Sequence, residues 1–168
     1  MRVSLLDDLC PSTRSSNTQD TGRPYVNADA DQPNPMARLL VLDFPEGYEF
    51  GIDWMAWQVG EKFGGVGNIP VGYHFIYWSA KEKHGSDCSI RSGKYLHIRS
   101  DTDVHVWTWD SDAETCAVLD HTESFQYREN AARGQLDSGL GPYPEEHHQK
   151  WVALTTHLNE TTIERMTP

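Results

Sequence analysis

From Met36 onward, apolar residues gather in short runs punctuated by glycine and proline, the spacing of strands rather than of long helices. Residues 38–43 (RLLVLD) form a continuous apolar run and predict a strand. Pro45-Glu46-Gly47 then predicts a turn, because proline presets the backbone at its first central position and glycine eases the close of the turn. Residues 48–52 predict a second strand. Residues 53–57 (DWMAW) are aromatic without a clear period and read as an extended turn, and 60–67 as a glycine-rich loop. Residues 73–79 (YHFIYWS) are apolar at both parities, so this strand is expected to be covered on both faces. A polar turn through 81–91 leads to strands at 95–99 and 104–109, joined by the hairpin-length link 100–103. In the last of these, Val104, Val106 and Thr108 share one face and His105, Trp107 and Trp109 the other.

Farther along, the period changes. Residues 123–136 are compatible with a helix, and Leu140-Gly141-Pro142-Tyr143-Pro144 stops it. Residues 145–158 predict a second helix, with Glu145 and Glu146 placed where carboxylates meet the positive end of the helix dipole. Trp151, Leu154 and Leu158 recur at i, i+3 and i+7 and so share one face of it. The expected fold is mainly β with C-terminal helices, an α+β class. Residues 1–35, rich in Ser, Thr, Asp, Asn and Pro with almost nothing apolar after Leu6, read as a disordered leader. The domain is expected over 36–168, and an internal start at Met36 would produce a complete-looking domain.

Composition narrows the function. The chain has 168 residues, 14 Lys and Arg against 25 Asp and Glu, and a formal net charge of −11. Affinity for a phosphate backbone comes largely from Lys and Arg displacing counterions, so direct nucleic-acid binding is disfavoured. The imbalance is local: residues 101–168 hold 13 acidic side chains against four basic ones, which reads as a solvated face or as a patch that steers a basic partner. No run of 18 apolar residues could span a bilayer as a helix. Three cysteines, Cys10, Cys88 and Cys116, without C-x-x-C spacing match neither a disulfide framework nor a zinc finger and fit a reducing compartment. The opening ten residues hold only Val3, Leu5 and Leu6 before Asp7 and Asp8, too little for an export signal, so the sequon at Asn159 is expected to go unused.

Candidate chemistry is thin. Gly64-Gly65-Val66-Gly67 lacks the Lys and hydroxyl of a phosphate loop and the spacing of a dinucleotide fingerprint; it reads as a tight loop needing positive backbone dihedrals. Adjacent His147 and His148 point about 100° apart on a helix and cannot share one ion. Asp101/Asp103 and Asp110/Asp112 lack the remaining ligands of a calcium loop and read as turn residues. No nucleophile elbow and no Cys–His signature is present. No cofactor and no metal are expected. An enzyme reading survives as the alternative, with a pocket lined by His74, His97 and His105 and by Trp107 or Trp109.

A family resemblance rests on two separated blocks. The first is Phe44-Pro45-Glu46-Gly47-Tyr48-Glu49-Phe50-Gly51-Ile52-Asp53, followed by Trp57, Val59-Gly60, Lys62-Phe63, Gly65-Val66, Ile69-Pro70, Gly72 and His74-Phe75. The second is Leu140-Gly141-Pro142-Tyr143-Pro144, then Lys150-Trp151, Leu154-Thr155 and Thr162-Ile163-Glu164. Together they resemble the N-terminal domain of the A1-cistron splicing factor family, over most of 36–168. The resemblance implies a β-sandwich-like domain in a chaperone-like assembly factor for the U5 small nuclear ribonucleoprotein. Such a factor binds the large central scaffold protein of that particle, blocks premature helicase binding and leaves during maturation. It implies no catalysis, no small-molecule substrate, and residence in nucleus and cytoplasm.

Two departures stand out. Val71 occupies a position where the family often has a second proline, and the sequence stops at Pro168, before the second, helical domain that the family carries. The face of Trp151, Leu154 and Leu158 is the candidate interdomain or partner surface: it closes against that second domain in one reading and against the β-core of this chain in the other. An uncovered face predicts self-association and binding of a hydrophobic dye; a chain that stays monomeric at high concentration and binds no dye has it covered.

Overall fold

The computed structural model describes residues 36–80 and 90–166; the predicted leader 1–35 and most of the predicted polar turn lie outside the described residues. In chain order come β1 (Arg38–Leu42), β2 (Glu49–Ile52), β3 (Met55–Gln58), β4 (Gly65–Gly67), β5 (Gly72–Ser79), β6 (Arg91–Ile98), β7 (Val104–Asp110) and β8 (Thr115–Val118). Next are α1 (His121–Ala132), β9 (Leu140–Pro142), α2 (His148–Thr155) and α3 (Glu160–Met166). The strands form a five-stranded sheet in the order β8-β7-β1-β4-β9 and a four-stranded sheet in the order β3-β2-β5-β6. The fold is mainly β with C-terminal helices, as expected.

The unbroken apolar run of β1 has a simple cause: both its faces are covered. Leu39 and Val41 join Val66 and Trp107 of their own sheet and Phe50, Ile52, Ile76, Trp78, Leu96 and Ile98 of the other in one buried cluster. Leu40, at the opposite parity, packs with Val106 and with Ala131 of α1. Arg38 lies on that same side, 4% exposed, where its guanidinium forks onto the Asp137 carboxylate at 2.8 and 3.0 Å and donates to Met36 O at 2.7 Å. A bidentate pair satisfies a buried charge in a way that a single contact does not.

β5 departs from expectation. His74, Ile76 and Trp78 are buried, while Tyr73, Phe75 and Tyr77 are only half-buried. The outward rings cover one another instead: Phe75 stacks on Tyr77 with centroids 6.0 Å apart and tilts against Tyr95 at 5.1 Å. They lie flat because glycines face them across the sheet, Gly51 opposite Tyr77 and Gly93 beneath Phe75; a Cβ at either would overlap the ring.

Other differences are local. Residues 53–57 hold a two-residue turn and then β3, which pairs with β2 from Ile52↔Met55 to Glu49↔Gln58. β6 begins at Arg91, four residues before the predicted start, and β8 and β9 were not predicted. α1 begins at His121 behind the Asp120 cap, which accepts from Glu123 N at 2.8 Å, and ends before Gly134, whose φ of 70° suits a helix terminus. The second helix divides: a 3-10 turn at Glu145–His147 leads into α2, and α3 starts afresh where Asn159 caps Thr162 N at 2.9 Å. Cys116 is fully buried, and burial pushes its thiol up to about 12 against a partial opposing pull from Lys94.

The glycine run proves to be a close approach of two strands. Gly65 has φ 132° and sits where an added Cβ would meet the carbonyl oxygen of Leu39 in β1. Gly65→Ala is expected to lower stability by about 3 kcal/mol or more, combining backbone strain with displacement of a central strand. Urea denaturation with an unchanged slope checks this; a loss below ~0.5 kcal/mol would show the approach to be slack.

Candidate functional site

The most connected polar group is a carboxylate at a hairpin tip. Asp53 occupies the turn between β2 and β3 with φ 53°, a left-handed conformation that aspartate tolerates. Its side chain, 2% exposed, folds back under the sheet. There Oδ1 accepts from Phe75 N at 2.8 Å, while Oδ2 lies 2.7 Å from His74 Nδ1 and accepts from the Tyr143 hydroxyl at 2.7 Å. His74 Nε2 meets Pro70 O at 2.8 Å. Both ring nitrogens thus face oxygen atoms. Tyr143 arrives from the segment after β9, and its backbone N donates to Gly67 O at 3.0 Å. Burial, with Asp53 as acceptor and as charge, pushes its hydroxyl far above the usual tyrosine range, so it remains a donor. One residue before His74, Tyr73 O accepts from Trp151 Nε1 at 2.6 Å. Two adjacent residues of β5 therefore fasten the C-terminal segment to the smaller sheet.

The strand histidines do not converge. His74 belongs to this buried lock, His97 stacks on Tyr73 with centroids 4.0 Å apart, and His105 lies on the other sheet. His97 and His105 do share a groove of about 400 Å3 between the margins of the sheets, with Arg99, Asp103, Trp107 and Arg128 among its walls. Trp109 is elsewhere, edge-on to Phe44 and Tyr48 at 5.2 and 5.6 Å. Among the described residues no three His, Cys, Asp or Glu side chains come together as metal ligands. His147 pairs with Glu146 at 3.4 Å, while His148 turns to the Tyr143 hydroxyl, also at 3.4 Å. The paired aspartates are turn residues: Asp110 accepts from Asp112 N and Ala113 N, and Asp103 from Arg99 N and Ser100 N.

Of the three candidate surface residues, Trp151 turns onto this chain's own sheet. Leu154 is 56% exposed and Val152 46% exposed. Leu158 is half-buried beyond the end of α2, because Thr156 and His157 intervene before Asn159 opens α3. The i, i+3, i+7 register is therefore not one helical face. What the sequence did not reveal is Asp53, whose position in a turn reads as solvent-facing; only its partners, 21, 22 and 90 residues away, draw it inward.

Residues 35–168 match the family model described as AAR2 N-terminal domain. The chain is 35% identical over 133 residues to Protein AAR2 homolog of Homo sapiens, covering 79% of this chain and 34% of that protein. It is similar, also at 35% identity, over 136 residues to the protein of that name in Caenorhabditis elegans, covering 79% and 35%. The likeness to the one in Oryctolagus cuniculus is 31% over 132 residues, covering 79% and 25%. The chain spans about a third of the length of the curated relatives it matches.

Removing one donor from the lock should weaken it without leaving a cavity. Tyr143→Phe is expected to cost ~1–3 kcal/mol, the range for a buried acceptor losing its partner. Hydrogen exchange should show the amides of α2 losing protection before those of β1 and β5. If α2 and the central strands lose protection together, the lock does not govern the C-terminal segment separately.

Proposed function

The chain belongs to the AAR2 (A1-cistron splicing factor) family, and from that premise we propose that it is a protein-binding module of a U5 particle assembly factor, acting in pre-mRNA splicing. Its partner in this reading is the large central scaffold protein of the particle. The mechanism is steric: the module occupies the scaffold in its immature form, holds off the U5 helicase, and leaves on maturation. It needs only higher affinity for one state of the scaffold than for the other, with no substrate turned over. It works in nucleus and cytoplasm, and on the path to the tri-snRNP.

The observation that carries this is the match itself, which spans residues 35–168 and so takes in both sheets and α1, α2 and α3. Two features of the molecule support a docking role. The polar groups of the Asp53 lock are spent on one another, which suits structural use better than turnover. Val152 and Leu154, by contrast, are large apolar side chains left substantially uncovered on α2. The part of the relatives' length that this chain does not span leaves room for the helical domain and for further scaffold contact.

Affinity capture from nuclear extract tests the reading. The tagged chain should retain the scaffold protein without the helicase, and Val152→Asp with Leu154→Asp should reduce recovery by about tenfold or more, as for loss of an apolar contact at an interface centre. Capture of scaffold and helicase together would contradict the blocking role. Absence of the scaffold would remove the assembly reading altogether.

A further inference from the structure

The groove between the sheet margins gathers two arginines and two histidines from three elements. His97 and Arg99 come from β6 and the residue after it, His105 from β7, and Arg128 from α1. This is unexpected in a chain with a net charge of −11, and Arg128 is one of only four basic residues in the strongly acidic stretch 101–168. We propose that the groove is a binding site for a short anionic group on a peptide, a carboxylate or a phosphate beside an apolar residue. The identity of that peptide as part of an assembly partner rests on the protein-binding reading above; the anion site does not.

One carboxylate stands against the two arginines in the wall. Asp103 is the carboxylate in the wall, and it is committed to its own loop, accepting from Arg99 N at 2.6 Å, Ser100 N at 3.2 Å and Ser100 Oγ at 2.9 Å. Burial alone would raise its pKa, but those hydrogen bonds outweigh burial and hold it below the usual carboxylate range. Arg128 is half-buried, donates from Nε to Ser124 Oγ at 3.0 Å, and is in no ion pair among the described residues. Arg99 has a partner at the rim, Glu160 at 3.6 Å, with both side chains some 70% exposed, and such a pair holds little. Burial pushes the pKa of His105 down; among the charges around it Asp103, 4.0 Å away, pulls back most strongly, and Arg128, Arg99 and His97 push it down.

The walls decide what kind of anion fits. Leu96 and Trp107 are 3% and 2% exposed, and Val104 and Val118 complete an apolar lining, so charges at the mouth act across a low-dielectric floor. A groove of about 400 Å3 accepts a few residues of extended chain. A long polyanion is disfavoured because its charges outside the groove meet a chain whose net charge is −11. A single charged residue flanked by apolar ones enjoys the local field without that penalty.

Four probes titrated into the full chain test the site by NMR of the histidine rings: capped Leu-Glu-Leu, Leu-Gln-Leu, Leu-phosphoserine-Leu, and inorganic phosphate. The Glu and phosphoserine peptides should bind saturably and the Gln peptide should not. An anion favours protonated His105, so the midpoint of that ring should be higher in the complex than in the free chain, and binding should tighten as pH falls through the interval between them. Arg128→Gln should weaken the Glu peptide about fivefold or more, as for a charge-assisted contact. Arg99→Gln, at an exposed position that does not threaten folding, should do so too, while Arg165→Gln on α3 should leave binding unchanged. Phosphoserine binding tenfold tighter than Glu would point to a phosphorylated partner, comparable binding to a carboxylate, and inorganic phosphate alone matching either peptide would dispense with the apolar walls and overturn the peptide assignment. Equal binding of the Gln and Glu peptides, or no saturation by either charged peptide below about 10 mM, overturns the site. Scaffold capture separates the two ideas: scaffold retained while the peptides fail leaves the assembly reading standing, and peptides bound without scaffold leaves only the groove.

Discussion

The segment that leads from β9 into α2 is tied to the smaller sheet through one buried carboxylate. Asp53 takes hydrogen bonds from a strand amide, a strand histidine and a tyrosine 90 positions downstream; without it the amide and the histidine Nδ1 would lack partners and the tyrosine hydroxyl would keep only His148 at 3.4 Å. Removing one member of such a cluster is costly because the others stay buried, which is why its worth lies more in specifying the arrangement than in net stability. The neighbouring contact from Trp151 to Tyr73 O repeats the logic at the sheet's surface. Together they determine where α2 lies, and so which of its apolar residues are spent on this chain and which face outward.

The two sheets divide the work. The five-stranded sheet is covered on both sides around β1, by the other sheet and by α1, and its rigidity is reinforced where Gly65 lets β4 approach the β1 backbone. The four-stranded sheet buries one face and on the other carries rings lying over Gly51 and Gly93. Function in the proposed reading draws on what this frame leaves over: the outward side of α2, and the cationic groove where the sheet margins part. In that reading both are surfaces for another polypeptide, one apolar and one electrostatic. A docking protein needs such a pair to combine affinity with register.

The hydrophobic pattern alone specified most strands. β1, β5 and β7 are apolar runs that read as strands from the sequence, although β5, expected to be covered on both faces, buries only one, and the two motif blocks placed the chain in its family. Composition likewise located the acid in 101–168. Short elements were not legible: β4, β8 and β9 have three or four residues each and exist because a neighbouring strand offers hydrogen bonds, with Gly65↔Leu140 and Trp109↔Cys116 joining positions far apart or separated by an irregular turn. The sites were less legible still. Asp53 reads as a turn residue, Trp151 and Leu158 read as one helical face, and His97 and His105 read as pocket neighbours of His74, with nothing to join them to Arg99 and Arg128. Periodicity tells which side of an element a residue occupies, whereas a site depends on which other elements that side meets, and for these residues that is decided only when the chain closes upon itself.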